Sequence, residues 1–144
     1  MNKKVNITIP GEPAGKGRPK FTTVSGYAKA YTPAKTANYE TYIKLAYSER
    51  YKQMTFSADE PLKITIYAYQ TIPGSESKKR KALMLADKIR PTKKPDWDNI
   101  GKIVGDALNK VAYPDDKQIV EAHIYKYFSN EPRLEIEIEA VTNE

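Results

Sequence analysis

Four aspartates lie close together in a chain that is otherwise basic. Asp96 and Asp98 fall within Pro95-Asp96-Trp97-Asp98-Asn99-Ile100-Gly101-Lys102, and the pair Asp115-Asp116 follows an amphipathic stretch. Like charges gathered in a low-dielectric cleft are costly, so a fold keeps them together mainly where a cation sits between them. Carboxylates without Cys or His companions suit a hard ion, Mg²⁺ first and Mn²⁺ as its substitute, and disfavour zinc. Such an ion keeps open positions for water, which phosphodiester hydrolysis requires. Lys102, one turn after Asp98, is placed to orient a carboxylate or to offset charge on phosphorus. The plainer alternative for it is an ordinary i, i+4 surface ion pair.

The rest of the chain suggests what such an ion would act on. Net charge is +6, and it is unevenly spread: Lys and Arg outnumber Asp and Glu 19 to 7 in residues 1–94 and are outnumbered 5 to 11 in residues 95–144. A basic portion attracts a polyanion, while an acidic centre holds metal against it. Zero cysteines exclude disulfides, thiolate zinc sites and thiol nucleophiles, and His123 is the lone histidine. No apolar run approaches the roughly 18 residues needed to span a bilayer, and no signal-peptide core is present, which predicts a soluble, cytoplasmic protein with no membrane association. With 144 residues, 40% of them hydrophobic, residues 1–144 are expected to form one domain with its own core.

Several elements must position these groups. Val5, Ile7 and Ile9 alternate with polar residues and predict a strand that ends at Pro10-Gly11. From there to about Lys35 the chain reads as a long surface loop. A helix follows from Thr36 with a tyrosine-rich stripe, Tyr39, Tyr42, Ile43, Ala46 and Tyr47, suited to core or dimer packing. Leu62 to Tyr69 predicts a second strand. Ser77 to Ile89 predicts a helix whose opening Lys78-Lys79-Arg80-Lys81 faces the positive end of its own dipole. Asp98 or Asn99 is expected to cap a third helix with Ile100, Ile103, Val104, Ala107, Leu108 and Val111 on its core face. Lys117–Phe128 and Arg133–Val141 close the chain as strands. The order β-α-β-α-α-β-β predicts an α+β fold, a mixed β-sheet packed with helices.

Two rival motifs fail on spacing. The run from Asp96 resembles the start of an EF-hand loop, but Ile100 and Ala107 occupy its fifth and twelfth positions, where oxygen ligands belong. Gly11 to Gly17 is too short for a phosphate-binding P-loop and has Gly17 where a Ser or Thr is required. Trp97 suits either base stacking or the wall of a pocket, and neither Tyr113 nor His123 receives a role.

The segment Lys94 to Lys102, then Asp106-Ala107-Leu108-Asn109, then Asp115-Asp116-Lys117-Gln118-Ile119, resembles the RusA family of Holliday-junction resolvases. Gly15-Lys16-Gly17-Arg18-Pro19-Lys20-Phe21 and Tyr31-Thr32-Pro33-Ala34-Lys35-Thr36 are similar to that family's opening, so the resemblance spans nearly the whole chain. It implies a homodimeric, Mg²⁺-dependent endonuclease that makes paired nicks in four-way DNA junctions during recombination and repair, often encoded by prophages. Asp96, Asp98 and Asp116 would bind the metal, Lys102 would be the catalytic lysine, and Asp115 would be an acidic neighbour competing with Asp116. Lys16, Arg18 and Lys20 alternate so that an extended segment would present them on one face as a phosphate clamp, with Lys93 and Lys94 as further DNA contacts. The competing functions are a noncatalytic junction-binding protein and a metal-dependent nuclease acting on flaps or RNA.

Overall fold

The computed structural model describes residues 3–16, 20–24, 27–31 and 34–141, with side chains described for 3–16 and 37–141. Its elements run β1 (Lys4–Pro10), β2 (Lys20–Val24), β3 (Tyr27–Tyr31), α1 (Ala34–Tyr51), β4 (Leu62–Thr71), α2 (Lys78–Leu85), α3 (Trp97–Leu108), a 3-10 turn at Asp116–Gln118, β5 (Ile119–Ser129) and β6 (Arg133–Ala140). The expected α+β class with a mixed sheet holds. Four strands form that sheet in the order β1-β6-β4-β5, with β4 and β5 parallel and the other pairs antiparallel.

The segment expected to be a long loop contains the antiparallel hairpin β2–β3, with Lys20 opposite Tyr31 and Val24 opposite Tyr27. Phe21-Thr22-Thr23-Val24 has the aromatic and β-branched composition of a strand, which the surrounding Gly, Pro and Lys obscured.

The sheet is amphipathic because its strands alternate. Val5, Ile7 and Ile9 of β1, Leu134, Ile136 and Ile138 of β6, and Leu62, Ile64, Ile66 and Ala68 of β4 are buried on one face. Each such large side chain contributes about 1.5–3 kcal/mol on leaving water. Against this face pack Tyr39, Ile43 and Tyr47 of α1 and Ile100, Ile103, Val104, Ala107 and Leu108 of α3. Only part of the α1 stripe enters the core: Tyr42 and Leu45 remain more than half exposed, at 57% and 53%. The Tyr51 hydroxyl donates to Asn6 O (3.2 Å) and accepts from Asn6 N–H (2.8 Å), closing part of the free edge of β1.

Parallel strands cannot be joined by a tight turn, and β4 reaches β5 through α2 and α3. The crossover sets α3 antiparallel to both strands, so its N-terminus lies toward their C-terminal ends and its C-terminus toward the start of β5. Gly101 fits this packing closely, since a Cβ there would stand 3.1 Å from Ile124 Cδ1. The N-cap of α3 is Asp96, in place of the expected Asp98 or Asn99. The chain bends through Lys93–Pro95, where the Lys94–Pro95 peptide is cis, and the Asp96 carbonyl accepts the first helical bond from Ile100 N–H (3.0 Å).

A carboxylate edge along the third helix

The N-terminal end of the site is tied to the sheet by backbone contacts. Gln70, buried at the end of β4, donates from Nε2 to Lys94 O (3.1 Å). Lys126 of β5 donates from Nζ to Lys93 O (2.6 Å), and Arg90 Nε donates to Lys126 O (2.9 Å). These bonds use the carbonyls of Lys93 and Lys94 and leave both side chains exposed. Burial pulls the Lys126 ammonium below its ordinary value, and the negative charge of nearby Asp96 opposes that pull. The Asp96 carboxylate makes no capping bond although it occupies the cap position, and no hydrogen-bond partner for it stands among the described residues. Asp98 lies in the first turn, and Trp97 between them is 68% exposed, which removes the buried-wall reading and leaves its indole open to solvent.

Lys16 enters the site as a structural clasp. Gly15 lets the N-terminal segment reach α3, since a Cβ there would stand 2.9 Å from both Asn99 Cβ and Pro95 Cβ, and Lys16 N–H donates to Asn99 O (2.8 Å). The Lys16 ammonium bridges Glu40 of α1 and Asp106 of α3, the latter at 3.3 Å. Burial acts to lower its pKa, but the hydrogen bonds and charges of the two carboxylates outweigh that and hold it above the usual lysine value. Arg18 lies outside the described residues, and so does the side chain of Lys20.

Asp106 also takes Lys102, 3.5 Å away and one turn earlier. Asp98, Lys102 and Asp106 therefore follow one another at successive i, i+4 positions along one helix edge. At the far end the 3-10 turn folds back against the helix. Tyr113, buried, donates from its hydroxyl to Gly105 O (3.2 Å), and Lys110 N–H donates to Tyr113 O (2.7 Å). Asp116 Oδ2 then rests 3.7 Å from the Cβ position of Gly105.

The paired aspartates divide their work. Asp115 caps the 3-10 turn, accepting from Lys117 N–H (3.0 Å) in a capping box with Gln118, and that bond holds its pKa below the ordinary value. Asp116 faces α3. Burial, Asp115 and Asp106 together push its carboxyl above the ordinary value, and Lys102 opposes them weakly.

The edge thus has two acidic ends, Asp96 with Asp98 and Asp106 with Asp116, and Lys102 between them. Asp98 and Asp106 are separated by about 12 Å along the axis. Among the described residues no three carboxylate or imidazole groups meet closely enough to form a cage by themselves. The donors are all carboxylate oxygen, the chemistry a hard cation prefers, but the two ends stand too far apart for one ion to touch both, so the structure keeps Asp96 and Asp98 together and Asp116 apart from them.

Asp106, Glu40 and Lys126 were not singled out as site residues from the sequence. Asp106 was within reach, since it shares the i+4 spacing of Asp98 and Lys102. Glu40 and Lys126 meet the site only through folding, 24 and 33 residues from Lys16 and Lys93 respectively. His123 lies away from this edge, exposed beside Glu121 at 3.9 Å.

Residues 10–139 match the family model described as endodeoxyribonuclease RusA. The chain is also 35% identical over 140 residues to YqaN of Bacillus subtilis (strain 168), a protein described as uncharacterized, with 96% of this chain and 97% of the relative aligned. Both matches include the Lys94–Lys102 segment, the α3 edge and the Asp115-Asp116 turn, and on that extent of similarity the chain belongs to the RusA endodeoxyribonuclease family.

Proposed function

We propose that this chain is a Mg²⁺-dependent endonuclease that nicks four-way DNA junctions in pairs as a homodimer, in cytoplasmic recombination and repair. The observation that carries the reading is the family match over residues 10–139, coinciding with a helix edge where Asp98, Lys102 and Asp106 align and Asp116 is laid against the far end. Asp96 and Asp98 at the start of α3 and Asp116 near its end are the groups that would hold Mg²⁺, or Mn²⁺ in its place, and a single ion shared by all three would need the two ends of the edge to stand closer than they do here. When bound, the ion supplies Lewis acidity and lowers the pKa of the attacking water.

The remaining roles belong to the chain itself. Lys102, 63% exposed at its side chain, is the cation able to swing from Asp106 toward a phosphate and offset its developing charge. Lys93 and Lys94 are held by their carbonyls with ammonium groups outward, beside Asp96, and suit backbone phosphates on either side of the scissile bond. Between Lys78 and Lys94 the chain has eight Lys and Arg against one Asp, so the polyanion is drawn to the end of the sheet where α3 begins.

The test is incubation of the pure protein with a labelled four-way junction, a linear duplex, a flap and a single-stranded RNA, each with Mg²⁺ or EDTA. Symmetric nicks in the junction alone, lost in EDTA, are expected. Tight junction binding without cleavage would favour the noncatalytic binder, and cutting of flaps or RNA the broader nuclease.

A further inference from the structure

The buried row of β4 ends on an amide. Leu62, Ile64, Ile66 and Ala68 face the helices and are buried, and the next position on that face is Gln70, 1% exposed. An aliphatic side chain would continue the core there. The amide instead donates from Nε2 to Lys94 O (3.1 Å), while its Oε1 is buried with no partner among the described residues. Gln118, also buried, uses both ends of its amide: Nε2 donates to Ser57 O (2.8 Å) and Glu60 O (2.9 Å), and Oε1 accepts from Asp115 N–H (3.3 Å). Leaving a buried acceptor unsatisfied is costly, so stability alone does not account for Gln70. What its N–H holds does.

Lys126 extends the same grip. In the parallel β4–β5 register it stands beside Ala68, so it shares the face of Gln70, and its Nζ donates to Lys93 O (2.6 Å). Two adjacent strands thus take two successive carbonyls of the segment that enters α3. From the other side Lys16 N–H donates to Asn99 O (2.8 Å). Between these ties lie Asp96, Trp97 and Asp98. How far a shift of this segment reaches a charged group depends on the length of the side chain. Lys93 and Lys94 are exposed and carry flexible four-carbon stems that absorb a small displacement, whereas the carboxylates of Asp96 and Asp98 sit one methylene from the backbone and move with it.

We infer that Gln70 is a positioning residue for phosphodiester cleavage: through Lys94 O it fixes where the Asp96 and Asp98 carboxylates stand, with Lys126 as its partner in that task. The inference rests on the nuclease reading for what the carboxylates do, but not for how they are held. Misplacing a reacting group by about 1 Å costs on the order of 100-fold in rate, so the loss of one tie is expected to appear in kcat and not in junction affinity.

Gln70→Met tests this, since it keeps the length of the side chain and removes the donor. Trp97 is the sole tryptophan and lies between the two aspartates, 68% exposed, so its fluorescence anisotropy decay reports on the segment without DNA or metal. The variant is expected to keep its Tm within about 4 °C of the wild type and to show a faster Trp97 decay. On a saturating junction its kcat should fall at least about tenfold while the junction dissociation constant in EDTA is unchanged. A purely structural amide would lower Tm and leave the Trp97 decay and kcat as in the wild type; either of these two staying unchanged would overturn the inference. So would an affinity loss that accounts for all of the lost cleavage, which would assign Gln70 to Lys93 and Lys94. Should Gln70→Met not fold, Lys126→Met decides by the same readings. A wild type that cuts no nucleic acid removes the nuclease reading instead. Trp97 then decides alone, a faster decay in the variant keeping Gln70 as the anchor of the segment and an unchanged one overturning it.

Discussion

Lys16→Ala separates two jobs that one cation can do. As a phosphate clamp it would touch DNA, yet its ammonium lies between Glu40 and Asp106 with side-chain exposures of 19%, 17% and 32%. Removing it strands two carboxylates and frees the Gly15–Lys16 segment from α3. Exposed pairs contribute up to about 1 kcal/mol and the loss of a fully buried partner costs about 3–5. A bridge at this depth should be worth about 2 kcal/mol, or a Tm lower by about 6 °C for a domain of this size. The raised lysine pKa means that this contribution is complete below the ordinary value of 10.5 and fades only as pH rises beyond it. Thermal melts at pH 7 supply one reading, and the slope of log junction affinity against log salt supplies the other. A clasp predicts the full Tm loss with an unchanged slope, and Lys16→Arg recovering most of it. An unchanged Tm, with the slope shallower by about one phosphate contact, would refute the clasp.

Three further outcomes can be checked. Gly15→Ala should destabilise by about 1–3 kcal/mol in chemical denaturation, because its Cβ would meet two other Cβ atoms at 2.9 Å; Gly101→Ala should be near neutral, since a flexible Ile124 methyl can yield and alanine favours the helix by about 1 kcal/mol. Asp96→Asn, Asp98→Asn and Asp116→Asn should each lower junction cleavage by at least about 100-fold while binding in EDTA is unchanged or tighter, as negative charge near phosphate is removed; retained cutting in all three would defeat the assignment. In a spectrophotometric pH titration, Tyr39 and Tyr47, each pushed up by burial to about 12, should ionise only with alkaline unfolding. Their folded-state values lie above the ordinary 10, so the stability they contribute is intact below pH 10 and lost as pH rises through about 12.

The order of the main elements could be read locally because it rests on periodicity: Val5, Ile7 and Ile9 at period two, and Ile100, Ile103, Val104, Ala107 and Leu108 at helical spacing, have only one way to bury their apolar sides. The same periodicity put Asp98, Lys102 and Asp106 on one edge of α3. Family membership was equally legible, carried by an ordered run of residue types. What folding alone decided were the meetings of distant segments. Lys16, one of three alternating cations in sequence, is drawn to Glu40 and Asp106 because Gly15 admits the chain against Pro95 and Asn99. Asp115 and Asp116 are chemically identical, and the backbone turn assigns one to capping and the other to the helix edge. Gln70 and Lys126 meet successive carbonyls only through the β4–β5 register, which no local pattern encodes. Periodicity reports which side of an element is apolar, whereas a partner across the fold is set by packing the whole chain at once.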